Sequence, residues 1–412
     1  MFVIVAKTII ALICAGLVVL LLVFQKQVET WLSRRSSQKI VGVWVLTRLL
    51  PFVVTFLLLD YTPFSDIDGF YGQALGAVAL KMVYRDFYCM YSPLFPYLNA
   101  AALWLWMSKK AIVLLMILME GSALWLSLRF YRPLLSVGRR AFLSLLYLLM
   151  PGSLILCVFG GQEDVWLWLT VIGAYLLAQK TGRWEWLGVG VVVGFMLTKA
   201  VFVLMGPVLL LLVPKPQRWL WPMALMGALC FGVLYHLTEW AWLDQPMNEA
   251  ATLRAPNLIS VLNPLTFDAL HAGAKFWNWI GLLLTTGAGT WVAFRTKHVD
   301  FRPSFSAAFV VLYATMMLVQ QSAYSNYIFI FLIPLVFVWI DFNNRQEVTW
   351  LLIFNVVSVV HPSLWWRLER PYYHSPSDIF AQPIYGLDYA LQVGIVICTA
   401  YFIRLVWQKA VR

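Results

Sequence analysis

From Thr8 to Phe24 the chain carries no charged side chain, and apolar runs of this kind return about thirteen times before Arg412. Backbone amides cannot stay unpaired in hydrocarbon, so such runs confine a chain to membrane helices or a closed barrel. A membrane barrel would show short segments of alternating polarity. These runs are unbroken, and many approach the roughly 20 residues a helix needs to cross a bilayer. Composition agrees: 62% of residues are hydrophobic and 12% charged, against about 45–50% and 25% in soluble proteins. The expected fold is an all-α polytopic membrane protein. Its apolar segments lie at 8–24, 39–59, 110–130, 141–159, 165–179, 186–198, 200–213, 219–237, 276–294, 304–320, 327–341, 348–361 and 385–403. The short pair 186–198 and 200–213, joined at Lys199, reads as two tilted helices or one re-entrant hairpin. Leu94–Met107 reads as a half-inserted segment.

A formal charge of +11 can signal a nucleic-acid partner, but its distribution here reads as topology. Nineteen of the thirty basic residues, from Lys26, Arg34 and Arg35 to Lys409 and Arg412, fall in one set of short connections that hold only five acids. The positive-inside rule makes that set cytoplasmic. With an odd number of crossings, the N-terminus then lies outside and the C-terminus inside. Lys109 and Lys110 run against this scheme. The charge divides into about +14 on the cytoplasmic face and about −3 elsewhere, and no nucleic-acid partner is expected. Three longer outer segments, 60–109, 238–275 and 361–384, hold most of the remaining polar chemistry. No repeat or linker divides the chain. It reads as one membrane domain, with a first helix and cytoplasmic loop (1–38), a motif-bearing core (39–215) and C-terminal helices (216–412).

The five cysteines form no paired framework, so neither disulfides nor a cysteine metal site is expected. Cys14, Cys157, Cys230 and Cys398 lie in apolar runs and Cys89 in an outer loop. The first apolar run exceeds a signal-peptide core and precedes no small-residue cleavage site, so it reads as a retained helix. No Asn-x-Ser/Thr sequon occurs. Together with the modest size, this favours the bacterial cytoplasmic membrane over the endoplasmic reticulum.

Five polar clusters interrupt the apolar pattern. Ser65-Asp66-Ile67-Asp68 sets two carboxylates two residues apart in a stretch read as an extended loop. They could share a ligand, a divalent cation or an acceptor hydroxyl, although an ordinary solvated loop also carries such acids. Gly160-Gly161-Gln162-Glu163-Asp164 breaks an apolar stretch after Met150-Pro151. Acids in a first helical turn suit the helix dipole, yet a polar interruption with a glycine pair at a span's end is costly to desolvate. Lys199 is flanked by apolar helix on both sides, which marks either a functional cation or one snorkelling to the interface. Gln320–Tyr327 is a polar turn. In His361–His374, Arg367 and Arg370 sit among tryptophans and tyrosines, as phosphate ligands or as interfacial anchors. Arg48 and Glu120 lie inside apolar helices, where they could pair.

In order, Ser65-Asp66-Ile67-Asp68, Tyr91-Ser92-Pro93-Leu94, Met150-Pro151, Gly161-Gln162-Glu163-Asp164 and Gly194 followed by Lys199 resemble the motifs of GT-C membrane glycosyltransferases. The likeness is to polyprenol-phosphate-mannose-dependent mannosyltransferases, including the catalytic subunit of GPI mannosyltransferase I. It covers residues 40–215 by motif and the remainder by layout. An extra helix precedes the usual first one. The spacing from the aspartates to Tyr71 is off by about one residue, which leaves open whether Asp66 or Asp68 is the base. The resemblance implies transfer of a hexose, mannose by likeness, from a polyprenyl-phosphate donor to a lipid or glycan acceptor hydroxyl, with inversion. Phosphate is already a good leaving group, so one base suffices, unlike the carboxylate pair of glycosidases. Asp66 or Asp68 would be that base, and the pair would hold a divalent cation (Mg or Mn) if one takes part. Lys199, Arg367 and Arg370 would offset the departing phosphate charge. Tyr91, Gln162, Glu163 and Asp164 would shape the substrate pocket.

The competing expectation is a secondary transporter or flippase for a lipid-linked sugar. Transporters place polar groups near the midplane between inverted repeats, whereas here the acids gather at one face and no repeat is found. An acyltransferase would call for a histidine constellation that the five histidines do not form.

Overall fold

Every apolar run of the sequence becomes a helix, because hydrocarbon leaves its amides no other partners. The computed structural model describes residues 2–369 and 372–411. It is about 80% helical, with no strand among the described residues beyond one isolated bridge between Val83 and Phe87. In chain order the main elements are α1 (Phe2–Val23), α2 (Ser36–Leu58), α3 (Asp66–Val78), α4 (Phe95–Leu105), α5 (Lys109–Phe130), α6 (Val137–Leu149) and α7 (Pro151–Phe159). They continue as α8 (Trp166–Thr181), α9 (Glu185–Leu197), α10 (Ala200–Leu212), α11 (Pro216–Thr238), α12 (Ala274–Thr296), α13 (Phe301–Val319), α14 (Ser325–Trp339), α15 (Arg345–Leu368) and α16 (Pro383–Val411).

Seven of these helices are long and apolar enough to cross a membrane: α1, α2, α5, α11, α13, α15 and α16. An eighth is added if α6 and α7, bent by 64°, count as one span. The chain is thus a multi-pass membrane protein by length and composition. α9, α10 and α14 are shorter apolar helices. The segment 186–198 plus 200–213 is two helices broken at Thr198-Lys199.

The core sits around α13 and α14, where long stretches are wholly buried. Several helices widen locally into i→i+5 turns next to prolines, at 45–49 and 53–58 around Pro51, at 155–159 after Pro151 and at 335–339 after Pro334. A proline removes one ladder donor, and the widened turn absorbs the mismatch.

One such region carries a charged tie. Arg48 and Glu120 are fully buried and pair at 2.9 Å. The same guanidinium donates to the Leu148 carbonyl at 3.0 Å and to Ser153 Oγ at 2.9 Å. Leu148 and Ser153 flank the bend between α6 and α7, so Arg48 clamps both sides of it to α2 and α5. Glu120→Ala would leave a buried guanidinium without its counter-charge and should cost about 3–5 kcal/mol. Thermal unfolding of the detergent-solubilised protein checks this. The double replacement Arg48→Met/Glu120→Leu should recover part of the loss, and an unaltered midpoint for Glu120→Ala would contradict the assignment.

Candidate functional site

The connections 59–65, 160–165, 198–199 and 320–324 all emerge at one end of the bundle, and their polar residues meet there. The first long connection is not the extended loop expected from the sequence. Asp66 opens α3, and Asp68 lies in its first turn, where acids suit the positive end of the helix dipole. On a helix, side chains at i and i+2 diverge by about 200°. Asp66 therefore turns inward and Asp68 does not. Asp68 bonds Lys109, at the start of α5, and remains 39% exposed. Lys110 pairs with Asp60. The two lysines that ran against the charge scheme thus neutralise acids of the first connection.

Asp66 is directed by the seating of a neighbouring side chain on a glycine backbone. Gly161 has φ +60°, and a Cβ there would collide with the Ile67 side chain. Glycine supplies both the conformation and the space. With Ile67 seated on Gly161, its neighbour Asp66 meets the next residue of the other segment, and Gln162 Nε2 donates to Asp66 Oδ2 at 2.9 Å. The Gln162 carbonyl oxygen accepts from Asn326 Nδ2, so the amide is held from both ends. Ser65, which leads into α3 with φ +85°, carries the backbone strain of this turn.

Glu163 and Asp164 are buried behind Gln162. Both pair with Lys199, Glu163 at 2.8 Å. The ammonium also lies 4.8 Å from the Tyr327 ring centroid and 5.7 Å from that of Tyr91. The cation expected to offset phosphate charge is therefore already held by two buried acids, and Lys199 positions the 160–165 turn. Tyr91 stacks on Phe95 at 4.6 Å between centroids and presents its ring to the same space.

Asp66, Tyr91, Gln162, Lys199, Asn326 and His361 line a cavity of about 290 Å³; Glu163 and Asp164, expected to shape the substrate pocket, do not reach it. Arg254, paired with Glu249 at 2.9 Å, also lines it, from the segment 238–275. His361 Nδ1 lies 3.4 Å from Ser325 Oγ, and its Nε2 lies 3.5 Å from Asp388 Oδ1. Asp388 in turn accepts from Tyr373 and Gln392. Arg254, Asn326 and Asp388 were not singled out in the sequence as site residues, and only Asn326 lay in a marked polar turn.

Arg367 is exposed and does not reach this cavity. It lines a second, mostly apolar one of about 530 Å³. Arg370, the other expected phosphate ligand, lies outside the described residues. Among the described residues no group of three or more His, Cys, Asp or Glu gathers as a metal site. The divergence of Asp66 and Asp68 removes the pair expected to hold Mg or Mn, so no step is derived through a cation.

No protein-family model, curated protein or solved structure matches this chain.

The connection 160–165 lies between helices, and burial pushes the Glu163 carboxyl up to about 7, against the pull of Lys199. The folded state then keeps a proton that the unfolded chain releases near 4.5. The stability this group contributes is complete below that value and is lost as pH rises through about 7. Thermal midpoints between about pH 5 and 8 should fall in the wild type and fall less in Glu163→Gln. Superimposable profiles would contradict the shift.

Proposed function

We propose that the protein is a membrane glycosyltransferase of GT-C type that moves a hexose from a polyprenyl-phosphate carrier to an acceptor hydroxyl. The observation that carries this reading is a single carboxylate, Asp66, held by Gln162 in a cavity lined with many polar side chains that adjoins a more apolar one. The acceptor hydroxyl gives its proton to Asp66 as its oxygen attacks the anomeric carbon. The bond from that carbon to the phosphate oxygen breaks on the opposite side, so the configuration inverts and polyprenyl phosphate leaves. No general acid is required, and of Asp66 and Asp68 only Asp66 lines the cavity. Gln162 orients the carboxylate, while Lys199, Glu163 and Asp164 hold Gln162 in place.

Mannose is the hexose that the motif likeness favours. The apolar runs support about thirteen crossings, the charge distribution supports a cavity on the non-cytoplasmic face, and the lack of sequons supports the bacterial cytoplasmic membrane. A transporter would set its site between inverted repeats, and the sequence shows none.

General-base catalysis contributes about 10²–10⁴-fold, so Asp66→Asn should lose that much of kcat in sugar transfer by the purified protein. Asp68→Asn, which removes only a half-exposed pair with Lys109, should stay within a few-fold of wild type. Equal activity of wild type and Asp66→Asn, or loss confined to Asp68→Asn, would defeat the assignment of the base.

A further inference from the structure

Lys7 sits five residues inside the start of α1, between Ala6 and Thr8 in a mostly apolar run. Among the described residues it makes no hydrogen bond or ion pair. Asp66 is near enough to act on it electrostatically without bonding it. An ammonium in an apolar span without a bonded partner is costly and is a functional candidate by default.

Its position is specific. Lys7, Ser65, Pro362 and Trp366 line both cavities, so Lys7 stands at the junction between the polar chamber of Asp66 and the apolar one. The apolar chamber, about 530 Å³, is walled by Ile4, Ile10, Phe56 and Phe159, with Arg367 at its edge. Leu59 and Phe64 belong to the same wall and are 73% and 70% exposed, which leaves that wall facing the surroundings of the bundle, where lipid would lie. An apolar chamber with two cations, Lys7 and Arg367, in its lining complements a molecule that has an apolar chain and an anionic head. Its reactive end would then point to Asp66.

We infer that Lys7 is the anchor for the phosphate of a lipid-linked substrate whose chain occupies the cavity between α1, α2 and α15. This rests on the transferase reading above for what lies beyond the phosphate, and assigns to the first helix a binding role in that site. Before the sugar leaves, Lys7 holds a phosphodiester; afterwards it holds the monoester, which carries more negative charge. The same contact therefore strengthens as the sugar–phosphate bond breaks.

The test uses the full chain in nanodiscs of zwitterionic lipid, with a polyprenyl phosphate, the corresponding neutral polyprenol and inorganic phosphate as probes. A charge-assisted hydrogen bond is worth about 10–100-fold in affinity, so Lys7→Met should weaken polyprenyl phosphate binding by that factor. Lys7→Arg should restore most of it. Polyprenol should bind wild type and Lys7→Met alike, and inorganic phosphate should not compete. Ile10→Trp, which fills the apolar chamber, should weaken both lipids and so keeps the chamber testable if Lys7→Met does not fold. Undiminished polyprenyl phosphate binding by folded Lys7→Met overturns the inference, as does competition by inorganic phosphate with polyprenol unbound. Sugar transfer on the same preparations separates the two readings. Loss of transfer in Asp66→Asn with binding indifferent to Lys7 overturns only the anchor. Binding that depends on Lys7, with no transfer from any donor, supports the anchor and overturns the transferase.

Discussion

A guanidinium shut away from water, tied to one carboxylate, one carbonyl and one hydroxyl, fixes where this bundle bends. Arg48 bonds Glu120 on α5, Leu148 before the bend and Ser153 after it. Neither charge could remain in an apolar interior without the other. The bend sets the direction of α7, and α7 delivers Gly160–Asp164 to the end of the bundle. Gly161 then admits Ile67, and that contact brings Asp66 to Gln162. The site thus descends from an ion pair well removed from it.

The electrostatics of the site follow a graded pattern. Lys199 is surrounded by two acids and two rings, so its charge is used within the protein. Asp68 is likewise paired with Lys109. Asp66 receives a neutral amide in place of a cation, and Lys7 makes no hydrogen bond or ion pair among the described residues. Charges with bonded partners build the cavity. The two without an ionic bond face its contents.

The apolar runs were legible because hydrocarbon leaves an apolar backbone only one local solution, and each of them is helical. The pairing of Arg48 with Glu120 was legible for the same reason. The conformation of Asp66–Asp68 was not: Pro63 and Ser65 suggest an irregular loop, whereas acids also favour the first turn of a helix, and tertiary seating on Gly161 decided between them. The partnership of Lys199 with Glu163 and Asp164 spans 35 residues or more, and no local pattern carries it. Lys7 escaped notice at the margin of an apolar run, where snorkelling is the ordinary reading. Its place between two cavities depends on α2 and α15, which are distant in sequence.

Transfer of a sugar from a lipid phosphate in this cavity is the proposal on which the other roles depend. It is tested most directly by incubating the purified protein with a panel of polyprenyl-phosphate hexoses and an acceptor, then determining the products and their anomeric configuration by NMR. Release of polyprenyl phosphate together with a glycoside of inverted configuration is the expected result. Translocation of an intact lipid-linked sugar across proteoliposomes, with no glycosidic product from any donor, would contradict it.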